Sequence, residues 1–571
     1  MTAPPGSSGS SVPPVLPEAG QAISDQSVET GAVSRAAGIG RAAALIGGLT
    51  VMARILGFAR TLVFSGTVHS SCLSVAYFTA NQVPNVIYDI VLGGALTAIV
   101  VPVLAGPAEG AASDEVARRE RDSISSALLT WTIVILAPVS LILALAAGPA
   151  MSALIPANPG PHCSTASLVP LAARMLAVFA PQILLYGLAV VSYGILQAHR
   201  KFTAPALAPI LSSLVVIAAY ALFVPLGEHY ITIVRGLPTS AELMLSVGTT
   251  LGVAALVLTA IGPVWRLRLR LRPALRFPPG IARRARSLAG VGIAALIAQD
   301  ASVLVVVWLA NAHGNSSAGP ALPLYNYSWL IFVSVYAVLA IPTAISAFPV
   351  LSARKGAEFD AAAASATRVT TLASWLGAAL LVGAAFPIAR AFPGLGAFAP
   401  TELAFALLTF APGVVGYGLT ACLSRVLLAD GRNRMAAVPL VAGWLLVIVI
   451  DLVVIPLVPG WTVVWVLGLA NTVGMTVSGI ALLVAVAKTR GAAALAGCWR
   501  ALGAGLAGAV AGAAAGLGIT AALRVDGHWL NAGVACAAGL GSGVAFLLIV
   551  ALIDGGDLRN AVARGRRRVA S

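Results

Sequence analysis

Charge is scarce in this chain. Aspartate, glutamate, lysine and arginine together make up 10% of its 571 residues, where soluble domains carry about 25%. That excludes an ordinary soluble multidomain protein. No stretch between the apolar segments is long enough for a soluble catalytic domain. Metal-ligand spacings, a nucleophile elbow and a phosphate-loop sequence are also missing, so nothing points to an enzyme, a bound metal or an organic cofactor. Gly539-Leu-Gly-Ser-Gly lies within an apolar segment and reads as small-residue packing. No charged n-region leads into a short apolar stretch with a cleavage site, so a removed signal peptide is not expected.

What is abundant is hydrocarbon. Hydrophobic residues make up 59% of the chain and its mean hydropathy is +0.94. Spanning a bilayer takes about 20 apolar residues, and fourteen stretches qualify, among them 74–104 (second), 167–197 (fourth), 366–389 (ninth) and 401–424 (tenth). They are too long, and alternate too little, for a β-barrel. The expected fold is an all-α polytopic membrane protein of 14 transmembrane helices, as two six-helix lobes plus a C-terminal helix pair. Its parts are a disordered tail (1–36), an N-lobe (37–265), a basic linker (266–286), a C-lobe (287–490), the terminal pair (491–555) and a basic tail (556–571).

The formal net charge of +15 does not imply nucleic acid, because the basic residues sit in short loops where topology accounts for them. With the N-terminus inside, the outer loops hold only Arg235, Arg390 and Arg524. Three more arginines (Arg54, Arg60, Arg174) lie within spans, and the other 29 of the 35 Lys and Arg fall on the inner side. This alternation predicts an N-in/C-in orientation. A weak internal echo supports two related lobes: Ile195-Leu196-Gln197-Ala198 is followed by a short basic turn, and so is Val426-Leu427-Leu428-Ala429, 231 residues later.

An arginine near a bilayer centre costs roughly 2.5–3.5 kcal/mol on insertion scales, yet the first span carries Arg54 and Arg60. Six residues apart, they are separated by about 9 Å along a helix and about 120° around it, so both can converge on one phosphate or pyrophosphate. Guanidinium forks suit those oxygens. The alternative for Arg60 is snorkelling to the headgroups. In the second span Tyr77, Asn81, Asn85 and Asp89 recur every four residues, a polar stripe next to Pro84. Asp89 is expected as counter-ion to Arg54, while interhelical glue is the other reading of the asparagines. Arg174, early in the fourth span, either snorkels or lines the same cavity.

Asp300, Asp451, Asn471 and Thr472 form a second polar set, about 12–18 Å from the outer surface by residue counting. Their oxygens suit Na+ or a proton, and separate helix-packing contacts are the competing reading. Of the five cysteines, Cys72 and Cys163 fall in outer loops, where a disulfide can form if that face is oxidising.

The first two spans also carry a family likeness. Arg54-Ile-Leu-Gly-Phe-Ala-Arg60, Ala76-Tyr77-Phe78, Val83-Pro84-Asn85, Gly93-Gly94-Ala95-Leu96 and Val101-Pro102-Val103-Leu104 resemble the MurJ/MviN proteins. Phe348-Pro349-Val350-Leu351-Ser352 continues the likeness, which covers about residues 37–555 and is nearest to the actinobacterial branch. The resemblance implies the multidrug/oligosaccharidyl-lipid/polysaccharide exporter fold. It also implies flipping of lipid II, the undecaprenyl-pyrophosphate-linked peptidoglycan precursor, by alternating access around a cationic cavity in the bacterial cytoplasmic membrane. Arg54 and Arg60 match the family's essential first-span pair, and Asp451 falls where members place a polar residue linked to cation binding. The chain departs from the pattern at Val75, where many members have aspartate. It departs again at Tyr88-Asp89, where many have a basic pair, and in the eighth span, which lacks an arginine.

The expected function is therefore lipid II flipping for cell-wall synthesis. The expected partners are the lipid-linked substrate, membrane lipids and cell-wall synthesis proteins, with Na+ or H+ coupling and the membrane potential as drive. Export of another polyprenyl-linked glycan or an amphipathic drug, or a transport-incompetent scaffold role, are the alternatives.

Overall fold

The computed structural model describes residues 47–90, 104, 115–160, 163–275, 281–316, 319–396 and 399–555. The expected tails at 1–36 and 556–571, the Gly93-to-Leu96 stretch and the middle of the linker lie outside these residues. The chain divides into Met1–Met52, of which residues 47–52 open a helix, and Ala53–Ser571.

The helices are α1 (Gly47–Val68), α2 (Cys72–Asp89), α3 (Glu115–Leu145), α4 (Ala147–Leu154), α5 (Thr165–Phe179), α6 (Gln182–Ala198), α7 (Thr203–Gly227), α8 (Thr239–Trp265) and α9 (Ile281–His313). They continue as α10 (Ala321–Ser352), α11 (Gly356–Ala391), α12 (Ala399–Phe410), α13 (Gly413–Ala429), α14 (Asn433–Val454), α15 (Val463–Arg490), α16 (Cys498–Ala522) and α17 (His528–Ile553). Twelve described helical stretches are long and apolar enough to cross a membrane, and the bent pair α12–α13 makes thirteen. The second expected span is helical over Cys72–Asp89, and much of its remainder is outside the described residues.

Two of the spans are broken in the same way. Phe179-Ala180-Pro181 separates α5 from α6, and Phe410-Ala411-Pro412 separates α12 from α13, 231 residues later. Tyr186-Gly187 and Tyr417-Gly418 repeat at the same spacing, so the four-residue echo is one end of a longer repeat. Proline has no N–H and disturbs the carbonyls one turn back, and in each lobe a threonine from a neighbouring span answers one of them. Thr250 Oγ1 donates to the Val178 carbonyl at 3.0 Å, and Thr472 Oγ1 donates to the Thr409 carbonyl at 2.6 Å.

The N-lobe closes on an aromatic core. The Tyr77 hydroxyl shares hydrogen bonds with Tyr220 (2.7 Å) and Thr249 (2.8 Å), and Phe64 and Phe179 pack edge-on or tilted against its ring. In the C-lobe Phe332, Phe410 and Tyr417 fill the same office. The terminal helices α16 and α17 pack on each other and on α11. Glycine permits that approach: a Cβ on Gly516 would stand 2.6 Å from the Gly383 Cα.

The lobes meet at the end that carries the disulfide Cys72–Cys163. There Asn311 Nδ2 of α9 donates to Thr79 Oγ1 (3.0 Å) and to the Leu154 carbonyl (2.9 Å). Ser70 N donates to the Gly394 carbonyl at 3.2 Å. Phe58 packs edge-on against Phe392, and Phe78 against Tyr327. Gly394 has φ +71°, and a Cβ there would collide with the Ser65 carbonyl, so only glycine fits both the backbone and the contact.

At the opposite end the linker begins as an extended segment laid along α3. The amides of Arg270, Arg272 and Ala274 donate to Asp122 Oδ2, Ser126 Oγ and Thr130 Oγ1, each at 3.1 Å. Four residues of helix rise about 6 Å and two residues of extended chain about 6.6 Å. Polar side chains at every fourth position of α3 therefore meet every second amide of the linker. Nearby, burial holds the His199 imidazole below its usual range, although the Ile195 carbonyl pulls it the other way.

Candidate functional site

Arg54 and Arg60 both project from α1, where Arg54 is exposed and Arg60 half-buried. Neither guanidinium makes a hydrogen bond or ion pair with another described residue. Arg60 lies within electrostatic reach of Tyr77, Tyr186 and Tyr220, on the face that α1 turns to the N-lobe. Two long cationic side chains thus stand on one helix without an anion among the described residues, in a setting where bare charge is costly.

The stripe on α2 is helical as far as Asp89, but its members do different things. Tyr77 points into the N-lobe core. Asn81, Asn85 and Asp89 are half-buried. The Asn81 Oδ1 is buried without a partner among the described residues. Asn85 Oδ1 accepts a long 3.4 Å hydrogen bond from the Tyr186 hydroxyl, and Tyr186 lies tilted over Tyr88 with ring centroids 4.1 Å apart.

Two sequence expectations need correction. Asp89 makes no ion pair with Arg54 among the described residues. Arg174 is committed elsewhere. Its Nε and Nη2 grip the Glu242 carboxylate of α8, with Nη2 2.7 Å from Oε2, and Glu242 is only 4% exposed. A buried carboxylate needs a paired cation, so Arg174 braces α5 against α8 and is not free to hold a substrate. The signal for this was present in the sequence as the lone acid in the first turn of the sixth span.

The second polar set does not converge as one cage. Asn471 accepts the Tyr417 hydroxyl at 2.7 Å, and Thr472 serves the helix break. Both are structural partners in the tenth-span region. Asp300 and Asp451 are different. They are buried on α9 and α14, two helices packed together, and Asp300 Oδ2 and both Asp451 oxygens lack partners among the described residues. A carboxylate so placed requires a proton or a cation as its partner, so these two residues, and not Asn471 or Thr472, fit a coupling ion.

Among the described residues, the geometry therefore sets unpaired guanidinium groups, with the amides of Asn81 and Asn85, on the N-lobe side against unpartnered carboxylates in the C-lobe. The first can hold an anionic group through charge-assisted hydrogen bonds; the second can take up a small cation. The residues that sequence reasoning missed are Glu242, Tyr186, Tyr417 and the two Phe-Ala-Pro breaks.

Known proteins share this architecture. A family model described as "Lipid II flippase MurJ" matches residues 65–531. The lipid II flippase MurJ of Burkholderia cenocepacia is 28% identical over 185 residues, 32% of this chain and 34% of that protein, so the match spans about a third of the relative's length. The probable lipid II flippase MurJ of Synechocystis is 26% identical over 401 residues, 67% of this chain and 70% of the relative. Among solved structures, a lipid II flippase MurJ in an inward closed conformation superposes with a TM-score of 0.68 at 17% identity, covering 89% of this chain and 98% of that one. An inward-facing multidrug MATE transporter of the MOP superfamily gives 0.59 at 15% identity, over 78% of this chain and 98% of its own.

Proposed function

The chain belongs to the lipid II flippase MurJ family, and on that premise we propose that it moves lipid II from the inner to the outer leaflet of the bacterial cytoplasmic membrane by alternating access. The observation that carries this reading is the pair Arg54 and Arg60 on α1, two guanidinium groups without an anionic partner among the described residues. They bind the pyrophosphate, with Asn81 and Asn85 adding neutral donors. The disulfide end faces outward, in keeping with an oxidising compartment and with basic loops on the inner side. Contacts between the lobes at that end then close the outer mouth.

The drive is assigned to Asp451 and Asp300. A proton or Na+ at a buried carboxylate, or the arginines themselves, can draw on about 2.3 kcal/mol per charge per 100 mV of membrane potential. The protein acts as a transporter, and cell-wall synthesis enzymes are its downstream partners.

The test is complementation in a depletion strain, with lipid II exposed at the outer face as readout. Arg54→Ala is expected to reach the membrane yet fail to sustain growth or exposure. Normal growth and exposure from Arg54→Ala and Arg60→Ala together would sink the pyrophosphate clamp.

A further inference from the structure

At the disulfide end two adjoining cavities have opposite chemistry. The first, about 600 Å³, is an apolar groove between α1, α11 and α17, lined by Phe58, Leu62, Val63, Ile388, Trp529 and Cys536 among others. The second, about 520 Å³, is polar and lies where α11 ends and α16 turns into α17; Arg390, Arg524, Asp526 and His528 line it. Phe392 and His528 belong to both, so the polar pocket adjoins the groove.

The turn that builds the pocket is held in place. His528 Nδ1 meets the Arg390 carbonyl at 3.1 Å, and the buried Asn531 amide donates to the carbonyls of Val525 and Gly527. Arg390 and Arg524 are exposed and neither pairs with a carboxylate among the described residues, Asp526 included. Two guanidinium groups against one carboxylate leave an excess of one positive charge. Trp529, 88% exposed, stands beside them, as tryptophan does at a membrane–water interface.

From this we infer that the notch binds one anionic phospholipid, its phosphodiester between Arg390 and Arg524 and one acyl chain along the groove. A monoanionic headgroup answers the single excess charge, and paired N–H donors suit its oxygens. The groove is of a size for a single acyl chain, not for a long polyprenyl tail. The bound lipid would fill the seam between α1, which bears Arg54 and Arg60, and the terminal helix. This site is separate from those arginines and does not depend on the transport reading.

Cys536 lines the groove and is exposed, whereas Cys422 and Cys498 are buried and the other two cysteines are disulfide-bonded. It is therefore a built-in reporter. The full chain in phosphatidylcholine nanodiscs is to be labelled with N-ethylmaleimide, with and without phosphatidylglycerol. Phosphatidylglycerol is expected to slow labelling about tenfold, as one well-made polar contact of about 1.4 kcal/mol gives. Arg390→Gln with Arg524→Gln should abolish the protection while leaving labelling in pure phosphatidylcholine unchanged. Ala532→Trp, which fills the groove and keeps both arginines, should remove the phosphatidylglycerol dependence of the melting temperature.

Equal protection by both lipids, or protection that survives the double glutamine change, overturns the assignment by reducing the notch to an apolar crevice. Displacement of phosphatidylglycerol by a polyprenyl pyrophosphate also overturns it, because the notch would then serve the translocated lipid.

Discussion

The two lobes share a scaffold and differ in charge. Both break a span at Phe-Ala-Pro and set Tyr-Gly at the same offset, and both answer a carbonyl before the break with a threonine. On that common frame, among the described residues, the N-lobe offers unpaired arginines at Arg54 and Arg60, and the C-lobe buries unpartnered carboxylates at Asp300 and Asp451. The repeat carries the helix breaks, whereas the charges without partners among the described residues depart from it. Substitutions in the two classes should therefore fail in different assays.

Asp451→Asn should have the largest effect. It keeps the volume of the side chain and removes its ability to hold a cation, so lipid II exposure should drop to background with the melting temperature held or raised. Retained transport would remove Asp451 from the coupling machinery and blur the contrast between the lobes. Arg174→Ala strands Glu242 in the N-lobe interior. A fully buried pair broken this way costs about 3–5 kcal/mol, but the exposed guanidinium side reduces the expected loss to about 1–2 kcal/mol. Restoration by Arg174→Ala with Glu242→Leu would identify the pair as a brace.

Thr250→Val and Thr472→Val probe the shared break. Thr472→Val removes the side-chain hydrogen bond at its break, worth about 1 kcal/mol, whereas Thr250→Val removes that bond and also the acceptor of the buried Gln182 amide. Both should lower thermal stability, Thr250→Val by more, without preventing transport. A transport defect confined to Thr472→Val would instead place it in ion binding. The smallest effect belongs to His199. Because its imidazole is held below the usual range, the unfolded chain takes up the proton first, so stability is full above about pH 6.5 and falls as the pH drops below it. His199→Gln should flatten that slope in melting curves recorded from neutral to mildly acidic pH.

Much of the fold was legible in the sequence because bilayer thickness and the cost of charge act on composition and length. The apolar span positions follow from that. The 231-residue echo was read only at Ile195-to-Ala198, since Phe-Ala-Pro and Tyr-Gly gain meaning when the broken helices are seen side by side. Arg54 and Arg60 were legible because an arginine within a span needs an explanation. Arg174 looked equivalent, and nothing in residue counting could show that Glu242, 68 positions on, faces it.

By itself, then, the sequence determined which segments are apolar enough to span, how the basic residues distribute between loops, and that two arginines occupy the first span. Those are properties of each residue and its neighbours along the chain. The tertiary structure decided which charges are already satisfied. It gave Arg174 to Glu242, Asn471 to Tyr417 and Thr472 to a broken helix, and left Arg54, Arg60, Asp300 and Asp451 without partners among the described residues. Pairing depends on which faces of distant helices meet, and that is settled by packing, not by spacing along the chain.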